Sequence, residues 1–294
     1  MANYILSCCS TADLDKAHFE KRDIRFVSFH LFVDGKPYSD DFESISSDEL
    51  YGAMEDGKET RTSQVNVDEF IQYFTPFLEQ GLDILHVSLS SGLSGVYNSA
   101  RIAGQELSEL FPERRIRVID SLCASSGYGL LMDRLADLRD EGMGLDELAL
   151  WTEEHKLEVQ HWFFSTDLSY YMKGGRLSKV SGWFGTILKI CPLLDMNEEG
   201  KLTPRRKIRT KERVISEIVD RMEENARGGT DYDGKCFICH SACIEDAKAV
   251  AKTIKERFHN IREDIRIYSV GAVIGSHTGP GTVALFFWGR RRCE

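Results

Sequence analysis

The sequence has no long apolar run, few prolines and no excess of basic residues, and each of these absences excludes a class of protein. No segment approaches the roughly 20 consecutive apolar residues of a membrane-spanning helix, so we expect no stable membrane insertion. Only six of the 294 residues are proline, 42% are hydrophobic and 29% are charged, which is typical of a folded globular protein. At roughly 150 residues per domain, the length predicts two domains.

Basic residues are outnumbered by acidic ones, 37 against 47, and the net charge is −10. A negative surface repels a phosphate backbone, so nucleic acid is not expected as a partner. The short basic run from Arg205 to Arg213 is the best candidate for a nucleic-acid-binding stripe, but a solvated strand end and helix start explain it equally well. Residues 1–14 have neither the basic region nor the apolar run of a targeting peptide, which predicts a cytoplasmic protein.

Three common catalytic or nucleotide-binding motifs are also missing. The segment from Gly92 to Gly95, GLSG, is one residue too short for the GxSxG of a serine hydrolase. No phosphate loop ends in Gly-Lys-Ser or Gly-Lys-Thr, and the GxGxxG begun by Gly127 and Gly129 has Met132 in its last glycine position. We therefore expect a binding protein rather than a self-contained enzyme.

The eight cysteines do not predict a cofactor site. Residues 236–240, CFICH, match the haem-attachment pattern CxxCH. The same residues also form a strand pattern, in which Cys236 and Cys239 project to opposite faces and cannot share one metal ion. In a reducing compartment such cysteines are usually free and buried, so we expect neither haem, nor a metal, nor another cofactor.

The most informative segment that is present is LDILHVSLSSGLSGVYNSA, residues 82–100. An apolar strand leads into a loop of serines and glycines and then into an amphipathic helix. Because a helix N-terminus has unpaired N–H groups and a favourable dipole for negative charge, this order predicts an anion site. The hydroxyl group of Ser94 is expected to cap the helix and to donate to the ligand, whereas Ser90 and Ser91 have no assigned role.

The order of the elements predicts an α/β protein with two domains. In the first half we expect strands at 3–8, 83–88 and 115–119, an apolar stretch at 24–33, and helices at 67–80, 95–109, 124–141 and 144–158. In the second half we expect strands at 161–165, 191–195, 201–209, 235–240, 265–274 and 282–288, and helices at 167–173, 178–189, 210–226 and 244–258. Interleaved strands and helices indicate a parallel sheet flanked by helices in an N-terminal domain, residues 1–160. The C-terminal domain, residues 161–294, is expected to be α/β with a mixed or antiparallel sheet, its last two strands pairing antiparallel.

Six short segments rich in small residues, interpreted as loops, recur along the chain. They are STAD at 10–13, TSQ at 62–64, SSGLSG at 90–95, DS at 120–121, KGGR at 173–176 and IGSHTGPG at 274–281. Their order and approximate spacing resemble the DegV family of bacterial fatty-acid-binding proteins, over nearly the whole chain. The resemblance implies that one long-chain fatty acid lies in a tunnel between two domains, with its carboxylate at the polar end.

The resemblance also implies roles for individual residues. Thr62 and Ser94 match the hydroxyl donors to the carboxylate, with His277 beside them. Hydroxyl and backbone donors satisfy a desolvated carboxylate without adding a full buried charge. Arg209, in KIRT, and His277 match residues that assist phosphoryl transfer, and Arg206 is a close rival to Arg209 because the basic run leaves the alignment ambiguous.

By the same resemblance, a partner is implied. In bacteria with a fatty acid kinase, a member of this family presents its bound acid to the separate ATP-binding subunit of the kinase, which makes an acyl phosphate for phospholipid metabolism. The chain itself would then be a lipid-binding subunit and not an enzyme. A lipid carrier or sensor that never meets a kinase is the alternative, because its ligand site would be identical.

Some positions depart from the family pattern or are weakly defined by it. Val96 stands where Thr usually follows SSGLSG, and Val65 and Asn66 replace Pro-Ser after TSQ, although Asn66 can cap the next helix. Ile187 and Leu188, near the glycine-rich segment, are expected to line the acyl chain. Further aromatic residues could either line the tunnel or belong to the core: Trp162, Phe163, Phe164, Trp183, Phe184, Phe286 and Phe287.

Overall fold

The computed structural model describes residues 3–177 and 190–293, whose strands form three β-sheets. The strands are β1 Tyr4–Cys9, β2 Ile24–Val27, β3 His30–Val33, β4 Lys36–Ser39, β5 Thr60–Ser63, β6 Asp83–Ser88, β7 Ile116–Asp120, β8 Val159–Ser165, β9 Cys191–Met196, β10 Leu202–Ile208, β11 Cys236–His240, β12 Arg266–Ser269 and β13 Thr282–Trp288. The α-helices are α1 Lys16–Lys21, α2 Ser47–Glu55, α3 Val67–Glu79, α4 Val96–Leu110, α5 Ser125–Asp140, α6 Leu145–His155, α7 Ser169–Lys173, α8 Lys211–Asn225, α9 Ile244–Arg257 and α10 Ala272–Thr278.

The first sheet has the strand order β2-β1-β6-β7, and all its strands are parallel. Every residue of β6 is buried, as is typical of a parallel strand covered on both faces. The carboxyl ends of β1, β6 and β7 therefore meet at one edge, where Ser88 pairs with Asp120. The predicted parallel sheet of the N-terminal part is confirmed, and β6 has the predicted bounds.

The second sheet is mixed, with the order β10-β9-β8-β13-β11-β12. Strands β11 and β12 are parallel, and the other neighbours are antiparallel. The mixed sheet predicted for the C-terminal part is confirmed, and residues 236–240 do form a strand. Cys239 lies 3.3 Å from the hydroxyl oxygen of Ser125 on α5.

The predicted strand at 265–274 is partly wrong. The strand ends at Ser269, and residues 272–278 form helix α10, which Gly271 precedes as its N-cap. A short apolar run does not distinguish a strand from a buried helix by its periodicity alone. The expected antiparallel pairing of the last two strands is also wrong, because β11 lies between β12 and β13.

A small third sheet, β4-β3-β5, corrects two further expectations. The apolar stretch 24–33 is two strands that belong to different sheets, β2 and β3. The TSQ segment does not form a loop, since Thr62 and Ser63 lie on β5, where Thr62 pairs with Leu31. Helices α2 and α10 cover this sheet, and Leu31, Leu50 and Ala272 share a small core beneath them.

Helix α5 lies between the two larger sheets. The hydroxyl group of Tyr128 accepts a hydrogen bond from the Cys9 N–H at 3.0 Å and donates to the Val87 carbonyl. Asn66 caps α3 in a capping box with Glu69, as its position predicted. The predicted helix 178–189, with Ile187 and Leu188, lies outside the described residues. No helix in the described ranges is long and apolar enough to span a membrane.

Candidate functional site

A cavity of about 500 Å³ lies between the carboxyl edge of the first sheet and one face of the second. This volume is within the range of roughly 300–1,000 Å³ that is common for small-molecule sites. Its lining includes Phe29, Thr62, Ser63, Gln64, Leu89, Leu93, Ser94, Gly95, Ala124, Ser125, His161, Phe163, Tyr171, Arg176, Met196, Leu202, Cys239, Val270, Val273, Ile274, His277, Thr278, Thr282, Ala284 and Phe286. Thr62, Ser94 and His277, which the sequence singled out from three distant segments, all line it.

Thr62 and His277 form a direct contact at the polar part of the cavity. The Thr62 Oγ1 lies 2.8 Å from the Nε2 of His277. One turn of α10 brings Val273, Ile274 and His277 onto the face that lines the cavity. In the predicted strand, Val273 and Ile274 would lie on opposite faces of a sheet. Both line the cavity because this segment is a helix.

The histidine is neutral at pH 7. Burial, and then the positive charge of Arg176, lower the pKa of His277 to about 4. In a neutral imidazole one ring nitrogen donates and the other accepts. When Nε2 carries the proton it donates to Thr62, whose hydroxyl proton is then free to be donated to a ligand.

Ser94 contacts a residue that the sequence analysis did not assign to the site. Its hydroxyl group donates to the Oε1 of Gln64 at 3.1 Å and accepts from the Val96 N–H at 3.3 Å. The N-cap of α4 is Gly95, so the expectation that Ser94 is the cap is wrong by one residue. Gln64 also donates to Ser99 at 3.1 Å, and its place in the TSQ segment was the signal that pointed to it.

Arg176 adds a positive charge that the sequence analysis did not expect. Its Nε donates to the Leu93 carbonyl at 3.3 Å and its Nη1 to the Gly174 carbonyl at 2.5 Å. The side chain is partly buried, which lowers its pKa, although an arginine stays protonated at neutral pH. Gly174 is needed here because a Cβ on it would lie 2.5 Å from the Nδ1 of His277. The KGGR segment therefore supplies both a cation and space for the histidine.

The inner part of the cavity is apolar. Strand alternation directs His161 and Phe163 of β8 towards it, while Trp162 lines a different cavity on the opposite face. Phe286 of β13 joins this wall, and Phe163 and Tyr171 stack with their ring centroids 5.9 Å apart. His161 is satisfied by the backbone, since Ala124 N–H donates to its Nε2 at 3.3 Å and its Nδ1 lies 3.0 Å from the Val159 carbonyl.

The other serines of the SSGLSG loop anchor it to both larger sheets, Ser90 to the β9–β10 turn of the second and Ser91 to the end of β7 in the first. Ser90 is fully buried and donates to the Gly200 carbonyl at 2.8 Å, while the Ser91 N–H donates to Asp120 at 3.1 Å. A Cβ on Gly92 would lie 2.7 Å from the Gly200 carbonyl oxygen, so the loop approaches the β9–β10 turn too closely for a side chain. Ser90 and Gly92 thus position the loop, and Ser94 faces the cavity.

The two arginines considered for phosphoryl transfer lie elsewhere. Arg209 is exposed directly before Thr210, the N-cap of α8, and is not among the described residues that line the cavity. Arg206 pairs with Glu217 at 2.8 Å. Within the described ranges, no group of three or more His, Cys, Asp or Glu side chains is arranged to hold a metal ion.

The sequence matches a known family along nearly its full length. A family model, described as uncharacterised proteins of the DegV family, matches residues 9–290. The chain belongs to the DegV family. A DegV domain-containing protein of Clostridium perfringens is 34% identical over 290 residues, which is 98% of this chain and 98% of that protein.

Solved structures share the DegV fold of this chain. A DegV lipid-binding protein from Thermotoga maritima is 26% identical with a TM-score of 0.85, covering 99% of this chain and 100% of that one. A DegV family protein from Thermus thermophilus, described by its fatty acid binding, is 25% identical with a TM-score of 0.87, covering 97% and 99%. The fold and the family inferred from the six motifs are therefore confirmed.

Proposed function

We propose that this chain binds one long-chain fatty acid in the 500 Å³ cavity, between an N-terminal domain of residues 1–160 and a C-terminal domain of residues 161–294. The observation that carries the proposal is the division of the cavity into a polar part around Thr62, Ser94 and His277 and an apolar remainder. An amphipathic acid with one charged end and a long chain matches this division. DegV proteins of similar structure are described as binding lipid and fatty acid.

The burial of the lining residues supports one orientation of the acid. Ser63 and Gly95 line the polar part and are exposed, whereas Phe163, Cys239 and Phe286 line the apolar part and are buried. The carboxylate therefore lies near the surface and the acyl chain points inwards. Each buried methylene contributes about 0.8 kcal/mol, so a long chain supplies most of the affinity and the carboxylate fixes the direction.

The carboxylate is held by hydroxyl donors and one guanidinium group. Thr62 donates through its hydroxyl group, Ser94 turns its one hydroxyl proton from Gln64 to the carboxylate when the acid binds, and Arg176 supplies positive charge from the same wall. A carboxylate removed from water must be satisfied by such charge-assisted bonds. The carboxylate would also lie close to His277 and raise its pKa, because a nearby negative charge favours the protonated ring.

We also propose that the bound acid is presented to the ATP-binding subunit of a fatty acid kinase. The exposed residues at the polar part give a second protein access to the carboxylate. In the transfer, a carboxylate oxygen attacks the γ-phosphorus of ATP, the bond to the β-phosphate oxygen breaks, and ADP leaves. His277 beside the carboxylate and Arg209, which is exposed before α8, would stabilise the transferring phosphoryl group when the partner is bound, as positive and donor groups do in such reactions generally.

Ligand binding is tested on the purified protein. Organic extraction followed by mass spectrometry should recover a fatty acid in about one equivalent. Delipidated protein should show a higher Tm with oleate or palmitate, because a ligand that binds only the folded state stabilises it. An extract without fatty acid, together with an unchanged Tm, would contradict the proposal.

Presentation to a kinase is tested separately. The loaded protein, a candidate ATP-binding subunit and ATP are mixed, and acyl phosphate is measured by trapping with hydroxylamine. Product that depends on both proteins supports presentation. Fatty acid binding without product from the kinase subunits of the same organism would instead support a carrier or sensor that acts without a kinase.

A further inference from the structure

Six arginines meet at a second cavity, of about 330 Å³, in a chain whose net charge is −10. Two belong to β10, one to α8 and three to the segment after β13: Arg205, Arg206, Arg221, Arg290, Arg291 and Arg292. Gln160, Trp162 and Asn225 complete much of the wall. We call this the arginine cavity.

The arginine cavity is separate from the proposed fatty-acid cavity. Gln160 and Trp162 face it, while the alternate residues His161 and Phe163 of the same strand face the other cavity. Because successive side chains of a strand point to opposite faces, β8 separates the two spaces. Met196, at the end of β9, lines both.

Carboxylates of the described residues balance only part of this positive charge. Among the described residues that line the arginine cavity, Asp195 is the one acid, and it accepts two bonds from Arg205 at 2.8 and 2.9 Å. Behind the wall, Glu217 pairs with Arg206 at 2.8 Å and with Arg221 at 3.1 Å.

A third carboxylate, Glu224, pairs with Arg221 at 2.6 Å. Among the residues that the structure describes, six guanidinium groups therefore face three carboxylates. Arg291 is exposed and makes no hydrogen bond or ion pair with another described residue. Like charges held this close repel one another unless a counter-ion lies between them.

Two buried donors around the arginine cavity have no acceptor. The Nε atoms of Arg221 and Arg292 are buried and lack a hydrogen-bond partner among the described residues. Arg292 is only 5% exposed, and its other nitrogens donate to carbonyl groups, of Leu122 at 2.7 Å and of Asn197 at 3.1 Å. No carboxylate of a described residue contacts the guanidinium group of Arg292. A buried donor without an acceptor is costly, and the oxygen of a bound anion can supply that acceptor.

We propose that the arginine cavity binds a small oxyanion with two or more negative charges, of the phosphate class. Arginine presents paired donors in the planar geometry that phosphate oxygens accept. A concave space of this size suits a small molecule. Apart from Met196, the residues of this site lie outside the fatty-acid cavity. The proposal therefore does not depend on the proposed fatty acid binding.

The test measures the binding of inorganic pyrophosphate and of ADP to the full chain by calorimetry at constant ionic strength. The two probes distinguish an inorganic anion from the same group attached to an organic molecule. In the R290Q/R291Q variant, which changes two exposed arginines, the Kd for the tighter probe should rise at least about tenfold, or about 1.4 kcal/mol. The buried Arg292 is left intact so that folding is preserved, and an unchanged Tm checks this.

The matched control is R25Q/R262Q, which removes the same charge from two exposed arginines that line neither cavity. This control should bind the probe within about twofold of the unmodified protein, and all three proteins should retain the same amount of fatty acid. Tighter binding of ADP supports a phosphorylated organic ligand, and tighter binding of pyrophosphate supports an inorganic one. The proposal is overturned if neither probe binds, if R290Q/R291Q binds equally well, or if both variants lose affinity equally.

Discussion

Removing the hydroxyl groups of Thr62 and Ser94 tests the proposed carboxylate position most directly. Thr62→Val and Ser94→Ala keep the side chains close to their original volume and delete one donor each. A hydrogen bond to a charged group contributes about 1.5–3 kcal/mol. If both hydroxyl groups donate to the carboxylate, the double variant should lose about 3–6 kcal/mol, which raises the Kd for oleate roughly 10²- to 10⁴-fold.

The loss of affinity for oleate must be distinguished from a loss of folding stability. Thr62 also contacts His277 and Ser94 also contacts Gln64, so each substitution leaves a polar group without its partner in the free protein. An unsatisfied buried group costs about 1–3 kcal/mol. The Tm of each delipidated variant should therefore fall modestly, and this fall is measured before any ligand is added.

The assay titrates delipidated protein with oleate and, in parallel, with oleyl alcohol. The alcohol has the same chain and no charge, so its affinity should change much less than that of oleate. Thr253→Val is the matched control, because its hydroxyl group donates to the Ala249 carbonyl on α9 and lines neither cavity. A Kd for oleate within about threefold of the unmodified protein would refute the reasoning, as would an equal loss for the alcohol.

Four further predictions concern the same cavity. Gly174→Ala should displace His277, because the new Cβ would lie 2.5 Å from the Nδ1 of the histidine. The hydrogen-bond donors would lose their alignment, so oleate binding should weaken at least about tenfold. Unchanged affinity in the titration would contradict this contact. Arg176→Gln should weaken oleate binding more than Arg176→Lys, because lysine keeps the charge, and equal affinities would exclude a charge role. Ala284→Phe fills part of the buried wall and should shift the co-purified acids towards shorter chains in mass spectra, whereas an unchanged distribution would place the acyl chain elsewhere. The delipidated protein should lose stability as the pH falls from 6.5 towards 4, because the unfolded chain protonates His277 near 6.5 and the folded protein only near 4. In urea unfolding between pH 7 and 4, His277→Gln should reduce this loss by at most about 3 kcal/mol, and an identical pH dependence would show that His277 does not contribute.

The sequence alone was sufficient for the regular parts of the fold. Elements with clear hydrophobic patterns, such as the apolar run of β6 and the amphipathic helix α3, match their predicted positions closely. The alternation of strands and helices in the first half correctly indicated a parallel sheet. These features depend on local hydrophobic patterns, which a single chain displays directly.

Segments whose conformation depends on their neighbours were predicted less well. Residues 272–278 are apolar enough for either a strand or a buried helix. Packing against α2 and the third sheet favours the helix. The stretch 24–33 divides between two sheets for a similar reason, since strand partners come from distant parts of the chain.

For the site, the sequence by itself indicated candidates: the strand–loop–helix order pointed to Ser94, and the resemblance to the family pointed to Thr62 and His277. Only the tertiary structure decided how they work together. It places Thr62 2.8 Å from His277, assigns Ser90 to anchoring and Ser94 to the cavity, and adds Gln64 and Arg176 to the polar wall. Distances between residues more than 200 positions apart arise from the packing of helices and sheets, which no local pattern records.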